Sequence, residues 1–308
     1  MLDDIIRTEN LSKLYGDVQA VSGMSLNVRK SEIYGFLGLN GAGKTTTIRM
    51  LLGMIRPTTG CAYINGKKVY ADNTGLWKHI GSLVEIPYSY PDLTVRENLE
   101  IIRRLRFIAD KNSINEVIDK LQLGPYANRK AKNLSLGNAQ RLGLAKALIH
   151  KPEILILDEP TNGLDPAGIF EIRAMLSEMA ANQGVTIFIS SHILGEISRF
   201  ATRIGIIHEG KLIQEVDTSQ LDKLNRKRLL INAKDLKAAK SVLSQNDFTV
   251  SETSDGKLEI KEENAISKPD VIATVMVNAG CPPTLLQVEE EDLESYFLRT
   301  INEKGGMK

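Results

Sequence analysis

The residues with the clearest chemical potential form a glycine-rich loop whose spacing fits G-x-x-x-x-G-K-[ST], namely Gly38-Leu39-Asn40-Gly41-Ala42-Gly43-Lys44-Thr45. An apolar run, EIYGFL, precedes the loop and a helical run follows it, which is the context that this pattern requires. Its glycines let backbone N–H groups converge on phosphate oxygens, the Lys44 ammonium suits the β and γ phosphates, and the Thr45 hydroxyl can ligate magnesium. The loop therefore predicts a site for a nucleoside triphosphate and Mg²⁺.

Two adjacent carboxylates follow a second apolar run, ILIL at residues 154–157. In a parallel sheet this run is a buried strand, and it delivers Asp158 and Glu159 to the edge where the phosphate loop lies. We expect Asp158 to hold magnesium and Glu159 to polarise an attacking water. The alternative for Glu159 is an ordinary solvated loop acid.

His192 follows a third apolar run, VTIFISS, and so belongs to the same sheet edge. Its imidazole can hydrogen-bond a γ-phosphate, although an isolated histidine is more often surface or core filler. The position at a strand end favours the phosphate role.

A second glycine-centred stretch, NLSLGNAQ at residues 133–140, contains no acid, base or metal ligand. Ser135 is placed to cap a helix, and Gly137 leaves backbone N–H groups open to a phosphate. The stretch lies in a helical segment and not among the strand-end loops. We therefore expect a second copy of the chain to supply it, so that one nucleotide lies between two chains.

The elements around these residues predict an α/β fold. Alternating runs and an Asn65-Gly66 hairpin indicate antiparallel β structure near the start, whereas strand–loop–helix repeats indicate a parallel sheet covered by helices. Residues 94–150 are predicted to be a helical insert, with capping boxes at Thr94/Glu97 and Ser113/Glu116. We predict a first domain at 1–221 and an accessory α+β domain at 222–308, in which the acids of 289–292 form a solvated helix start.

Charge and hydropathy exclude several classes of protein. The 39 basic and 38 acidic residues nearly cancel, so the composition gives no drive toward nucleic acid or anionic lipid. The chain starts with MLDDIIRTEN, which is not a secretory signal, and the charge-free run at 271–288 is broken by Asn, Gly, Pro and Gln. We expect a cytoplasmic protein that does not bind nucleic acid.

These motifs, in this order, resemble the ATP-binding subunit of ABC transporters over residues 3–215. LSLGN with QRLGLAKAL resembles the signature of that family, and LILDEPTNGLDP and His192 follow it as expected. The resemblance implies ATP and Mg²⁺ as ligands, a homodimer, Glu159 and His192 in hydrolysis, Tyr15 stacked on adenine and Ala20 beside the nucleoside. It also implies phosphate contacts from residues 38–46, Thr46 included, a signature in trans formed by Ser135, Leu136, Gly137 and Asn138, and a dimer loop formed by Asn162, Gly163, Leu164 and Asp165.

Two departures refine this resemblance. The family generally has glycine at the position of Leu136 and glutamine at that of Asn138, while Ser135 and Gly137 fit its signature. The strand IGSLVE ends in Glu85, where the family generally has a glutamine that senses magnesium and couples to the membrane subunit. Glu85, with the following IPYSYPDLTVRENL, resembles the branch that contains bacitracin-resistance and lantibiotic self-immunity transporters.

The leading hypothesis is the ATPase of a two-part exporter, held at the inner face of the membrane by separate membrane-spanning permease subunits. A soluble ABC ATPase acting on ribosomes or DNA is the alternative, but such chains usually carry two cassettes or a long coiled coil, and one phosphate loop is found here. A P-loop kinase or GTPase would leave the signature and His192 unexplained.

Overall fold

The computed structural model describes residues 4–73, 75–85, 87–224, 226–253 and 255–304. Within these residues the chain forms two compact units. The first comprises residues 4–219 together with 301–304, and the second comprises residues 220–300.

Antiparallel strands begin the first unit. They are β1 (Asp4–Tyr15), β2 (Val18–Met24), β3 (Asn27–Arg29), β5 (Thr59–Ile64) and β6 (Lys67–Lys68), with β1 paired to β2, β3 and β5. The turn between β5 and β6 is the predicted Asn65-Gly66 pair, in which φ is 50° and 71°. Such positive φ values give a two-residue turn the twist of its strands, so the hairpin prediction is confirmed.

A mainly parallel sheet forms the centre of this unit. From edge to edge it contains β11 (Lys211–Asp217), β10 (Arg203–His208), β4 (Ile33–Leu37), β9 (Thr186–Ser191), β8 (Ile154–Asp158) and β7 (Ile80–Leu83). Every residue of β4, β8 and β9 is buried, as expected for strands covered on both faces. The predicted α/β fold is confirmed, and the loops after these strands share one sheet edge.

Helices follow the three central strands. They are α1 (Lys44–Leu51) after β4, α5 (Pro166–Gln183) after β8 and α6 (Leu194–Ile197) after β9. Ile48 and Leu51 of α1 belong to one buried cluster with Ile6 of the antiparallel sheet and Phe188 of the parallel sheet. Helix α1 is therefore fixed by the core that the two sheets share.

The predicted helical insert contains α2 (Val95–Leu105), α3 (Ser113–Lys120) and α4 (Leu136–Leu148). The Thr94/Glu97 capping box is confirmed, because each side chain bonds the backbone of the other residue. The Ser113/Glu116 box is wrong. Asn112 already has a helical backbone, so Ser113 lies inside α3 and donates its hydroxyl to the Asp110 carbonyl at 2.7 Å.

The second unit has the predicted α+β fold. Its elements are α7 (Leu221–Leu224), β12 (Lys227–Ala233), α8 (Leu236–Gln245), β13 (Val250–Glu252), β14 (Leu258–Ile260), α9 (Glu263–Ser267), α10 (Pro269–Asn278), β15 (Pro283–Glu290) and α11 (Leu293–Lys304), the last four residues of which belong to the first unit. An antiparallel sheet in the order β13-β14-β12-β15 contributes Leu229 and Ile231 to a core completed by Leu243 of α8 and Ile272 of α10.

The acidic stretch at 289–292 differs from the prediction. Glu289 and Glu290 lie in β15 and pair with Arg228 and Lys227 of β12, at 2.5 and 3.2 Å. Asp292 alone fits a helix start, since it accepts from the Ser295 N–H at the beginning of α11. Cross-strand ion pairing therefore explains Glu289 and Glu290, whereas Glu291 pairs with Arg299 of α11 at 2.8 Å. Within the described residues, none of the helices combines the length and apolar character that a membrane span needs.

Candidate functional site

The glycine-rich loop connects β4 to α1 in a conformation that needs its glycines. Gly43 caps α1 with a φ of 103°, and a Cβ there would lie 2.4 Å from the Ala20 carbonyl oxygen. At Gly38 a Cβ would lie 2.6 Å from the Ile207 side chain. The loop thus approaches neighbouring backbone closely and presents the N-terminus of α1, the positive end of a helix.

Lys44 folds back over the loop that precedes it. Its ammonium is buried and donates to the carbonyl oxygens of Gly38 at 2.7 Å and Leu39 at 3.2 Å. In this position the Lys44 ammonium lines the cavity at the phosphate loop. An anion bound at the N-terminus of α1 would contact it there.

Asp158 is a buried carboxylate at the end of β8 that accepts two hydroxyl hydrogen bonds. Thr45 donates to Oδ2 at 2.7 Å and Ser190 donates to Oδ1 at 2.6 Å. The predicted metal residues Thr45 and Asp158 are therefore in direct contact. Hydroxyl and carboxylate oxygens are ligands that suit Mg²⁺, which takes its remaining ligands from phosphates and water. In the part of the chain that the structure describes, no three His, Cys, Asp or Glu side chains cluster as a metal site.

Glu159 lies between two nitrogen groups. Its Oε1 is 3.2 Å from Lys44 Nζ, and its Oε2 is 2.8 Å from Nδ1 of His192. The loops after β4, β8 and β9 thus bring the predicted cation, carboxylate and imidazole together. This arrangement holds a carboxylate in a fixed position beside the phosphate loop, which is what a general base for water attack requires.

A cavity of about 300 Å³ joins these groups. It is lined by Ala20, Asn40, Gly41, Gly43, Lys44, Thr45, Thr46, Glu159, Asn162 and His192. Gly38, Leu39 and Ala42 belong to the same loop without lining the cavity. Tyr15 is also outside it, being 47% exposed with the Lys13 ammonium 5.0 Å from its ring centroid.

The predicted signature starts α4 and does not line this cavity. Ser135 caps the helix by accepting from the Asn138 N–H at 3.3 Å, and Leu136 is 60% exposed. A Cβ at Gly137 would lie 3.0 Å from the Gly163 carbonyl oxygen. The signature therefore contacts the predicted dimer loop of its own chain.

That dimer loop adjoins the site. Asn162, Gly163 and Leu164 line a second cavity, of about 190 Å³, together with Glu159 and His192. Asp165 ends the loop by capping α5, where it accepts from the Gly168 N–H at 2.9 Å. The loop thus runs from the carboxylate to the start of α5.

Glu85 stands apart from the groups that meet at the phosphate loop. It follows β7 with a φ of 55°, is 54% exposed, and pairs with Arg49 of α1 at 2.7 Å. It lines neither cavity. Ile86, the first residue of the following stretch IPYSYPDLTVRENL, lies outside the described residues. The magnesium role of Glu85 stays a prediction.

Ser190 and Gln140 were missed by the sequence analysis. Besides bonding Asp158, Ser190 accepts from the Glu159 N–H at 3.0 Å, and Gln140 of α4 donates to the Glu159 carbonyl at 3.2 Å. The available signals were the two serines that end the apolar run VTIFISS and an amide side chain at a buried position of α4.

Comparisons with known proteins agree with this geometry. The family described as ABC transporter matches residues 21–162. The chain is 42% identical to the bacitracin transport ATP-binding protein BcrA of Bacillus licheniformis, over 97% of this chain and 98% of that protein. It is 38% identical to the lantibiotic transport ATP-binding protein SrtF of Streptococcus pyogenes, over 68% of this chain and 90% of that protein.

A solved structure shows the same fold with nucleotide. It is the dimeric, post-hydrolysis state of the ATP-binding cassette MJ0796 bound to ADP and Pi, which is 26% identical with a TM-score of 0.65 over 69% of this chain and 98% of that chain. The soluble ribosome- or DNA-acting alternative is not favoured by these relatives. The chain belongs to the ABC transporter family, as one of its ATP-binding and ATP-hydrolysing subunits.

Proposed function

We propose that this chain is the ATPase of a membrane exporter that gives resistance or immunity to peptide antibiotics of the bacitracin or lantibiotic type. One observation carries the proposal. The similarity to the bacitracin transport protein extends over nearly the whole of both chains, so it includes residues 220–300 as well as the unit that holds the phosphate loop. A match confined to the ATPase unit would indicate only the larger family.

In this proposal ATP binds with Mg²⁺ at the phosphate loop. Magnesium, when bound, neutralises charge on the β and γ phosphates. Thr45 and Asp158 would hold it, while Lys44 and the backbone of residues 38–46 bind the phosphates. Ala20 and Tyr15 would contact the nucleoside.

Glu159 would take the proton from the attacking water. His192 would keep the carboxylate oriented by donating from Nδ1 to Glu159 Oε2. Because Lys44 already lies beside Glu159, the phosphates and the base share one cation.

Two copies of the chain would complete the sites. Ser135, Leu136, Gly137 and Asn138 of one copy would face the nucleotide on Lys44 of the other, with Asn162, Gly163, Leu164 and Asp165 at the contact. The N-terminus of α4 suits this role, since its Ser135 cap leaves backbone N–H groups available to phosphate. Separate permease subunits would hold the pair at the inner face of the membrane, without nucleic acid as a partner.

Residues 222–308 would be accessory to ATP binding. All the residues that line the phosphate-loop cavity belong to the first unit. A chain truncated near Asp222 should therefore still bind ATP, measured by titration with a fluorescent ATP analogue. A truncated chain that is folded by circular dichroism and cannot bind the analogue would contradict this domain division.

The export role is tested by resistance in cells. The chain would be co-expressed with the membrane protein encoded beside it, and the minimal inhibitory concentrations of bacitracin and a lantibiotic would be measured. Resistance should require both proteins and should be lost with Glu159→Gln, while susceptibility to a non-peptide antibiotic stays constant. Resistance that persists with Glu159→Gln would overturn the proposal.

A further inference from the structure

We propose that Gln140 is a positioning residue, which holds the catalytic carboxylate of Glu159 by binding its backbone carbonyl. The inference rests on the proposed role of Glu159 as the base. Helix α4 would then help to hold Glu159 of its own chain, in addition to contacting the nucleotide of a partner chain through its N-terminus.

The backbone of Glu159 is in an unfavourable conformation. Its φ of 48° lies in the left-handed region, which is unfavourable for a non-glycine residue and persists only where the surroundings hold it. The backbone conformation of Glu159 sets the direction in which its side chain leaves the main chain. Groups that hold the backbone of Glu159 therefore help to position its carboxylate.

Both hydrogen-bonding groups of the Glu159 backbone are held by side chains. Its N–H donates to Ser190 Oγ at 3.0 Å, and its carbonyl accepts from Gln140 Nε2 at 3.2 Å. Ser190 is fully buried, and its single proton is given to Asp158, so it serves Glu159 only as an acceptor. Gln140 is therefore the side-chain donor at the carbonyl end of the residue, where the Asn162 N–H of the following turn also donates at 3.1 Å.

Gln140 is placed to do this firmly. It is 4% exposed, so a loss of its amide would leave the Glu159 carbonyl without that donor in a region that water reaches poorly. It also belongs to the helix that Ser135 caps, five residues along the chain from that cap. A movement of the N-terminus of α4 would therefore also move the donor that binds the Glu159 carbonyl.

The test uses Gln140→Met, which keeps the length of the side chain and removes its donor. The loss of one buried hydrogen bond in the positioning of the base should lower kcat by about 10- to 100-fold, with the KM for ATP changed by less than about threefold. Leu144→Met is the matched control, because Leu144 is 1% exposed on the same helix and has no polar group to lose. This control should keep kcat within about twofold of the wild type.

A double-mutant cycle separates positioning from other roles. In the Glu159→Gln background, Gln140→Met should cause no further loss of residual turnover, since its effect acts through the Glu159 carboxylate. An equal loss in both backgrounds, an unchanged kcat, or a raised KM alone would overturn the inference. If Glu159→Gln itself keeps wild-type turnover, the base assignment of the proposed function has failed instead.

Gln140→Glu keeps the test decisive if the methionine variant does not fold. An ionised carboxylate cannot donate to the Glu159 carbonyl, whereas a protonated one can. The kcat of this variant relative to the wild type should therefore rise as the pH is lowered from 8 to 6. A constant ratio with normal folding would contradict the positioning role.

Discussion

The adjacent carboxylates Asp158 and Glu159 have different partners because β8 ends at Asp158 and the backbone of Glu159 leaves the strand conformation, with a φ of 48°. Asp158 accepts from the hydroxyls of Thr45 and Ser190, whereas Glu159 contacts the nitrogens of Lys44 and His192. Oxygen groups thus gather around one acid and nitrogen groups around the other. This division suits a metal ligand and a general base side by side.

We predict that Glu85→Gln binds ATP but needs a different magnesium concentration for half-maximal ATPase activity. The predicted role requires the Glu85 carboxylate to approach the metal, and a neutral amide attracts a metal cation less strongly than a carboxylate does. The variant should fold normally, because its partner Arg49 is 38% exposed and such surface ion pairs contribute about 0–1 kcal/mol. Magnesium titrations of ATPase activity, and peptide-antibiotic resistance with the permease, measure the effect.

Arg49→Gln is the matched control for that prediction, since it breaks the same ion pair and leaves the carboxylate in place. If Arg49→Gln reproduces the effect of Glu85→Gln, the lost ion pair explains it. Unchanged magnesium titrations and undiminished resistance for Glu85→Gln would remove the coupling role.

We predict that Leu136 and Gly163 depend on each other. A Cβ at Gly163 would lie 2.5 Å from the Leu136 side chain, and Gly163 has a φ of 78°. Gly163→Ala should destabilise the protein by about 1–3 kcal/mol through overpacking and backbone strain, as measured by urea unfolding. Adding Leu136→Gly should relieve the overpacking, so that the double variant keeps only the cost of the backbone strain at residue 163. Strictly additive effects of the two changes would show that they do not interact.

The sequence predicted the residues whose roles follow from local spacing and missed those set by tertiary contact. The phosphate loop, Asp158, Glu159 and His192 each follow a buried strand, and parallel strands bring their ends together. Ser190 and Gln140 contact Glu159 from 31 and 19 residues away along the chain, and no local pattern specifies such a contact. The Arg49–Glu85 pair was missed for the same reason.

At the scale of the elements, the loop that follows α4 is joined to β7 by a histidine. His150 Nε2 lies 3.1 Å from the Ile80 carbonyl oxygen, and within the described residues its buried Nδ1 has no hydrogen-bond partner. Burial, and then the nearby Arg106 guanidinium, lower the pKa of His150 to about 4. Burial at this contact therefore favours a neutral imidazole.

We predict that His150 makes the stability of the protein fall in mild acid. Its pKa is about 4 in the folded chain against 6.5 when unperturbed, so the unfolded chain binds the proton first as pH falls. The contribution is fully present above pH 6.5 and is lost between pH 6.5 and 4, by at most roughly 3 kcal/mol. Urea unfolding at several pH values measures this loss.

His150→Gln is the comparison for that titration, because its amide can still donate to Ile80 and does not titrate. As pH falls from 7 to 4.5, the unfolding free energy of the wild type should decrease more than that of His150→Gln. A difference that stays constant over this range would contradict the prediction.

Element positions were predicted better than element ends. Long apolar runs gave the strands of the parallel sheet, whereas the Ser113 cap was wrong because Asp110 and Asn112 start the helical turn earlier. Glu289 and Glu290 were assigned to a helix start, but Arg228 and Lys227 on the neighbouring strand hold them in β15. Cross-strand pairing of this kind is not visible in the local sequence.

At the scale of the whole molecule, the phosphate loop and the signature belong to the same unit but do not line the same cavity. The cavity at Lys44 contains none of the residues Ser135 to Asn138, although these residues form a capped helix N-terminus suited to phosphate. In the proposed function, these are two halves of a nucleotide site that do not meet within a single chain. A second copy, placed head to tail, would join each half to its counterpart.

The oligomeric state of Glu159→Gln with ATP and Mg²⁺ tests this central claim most directly. The variant should bind ATP yet lose about 100- to 10,000-fold in turnover, so that the nucleotide stays between the two chains. Size-exclusion chromatography with light scattering should give twice the 34.1 kDa chain mass with ATP and the single mass without it. Glu159→Gln combined with Lys44→Ala should stay monomeric throughout. A monomer of Glu159→Gln at saturating ATP and Mg²⁺ would contradict the account.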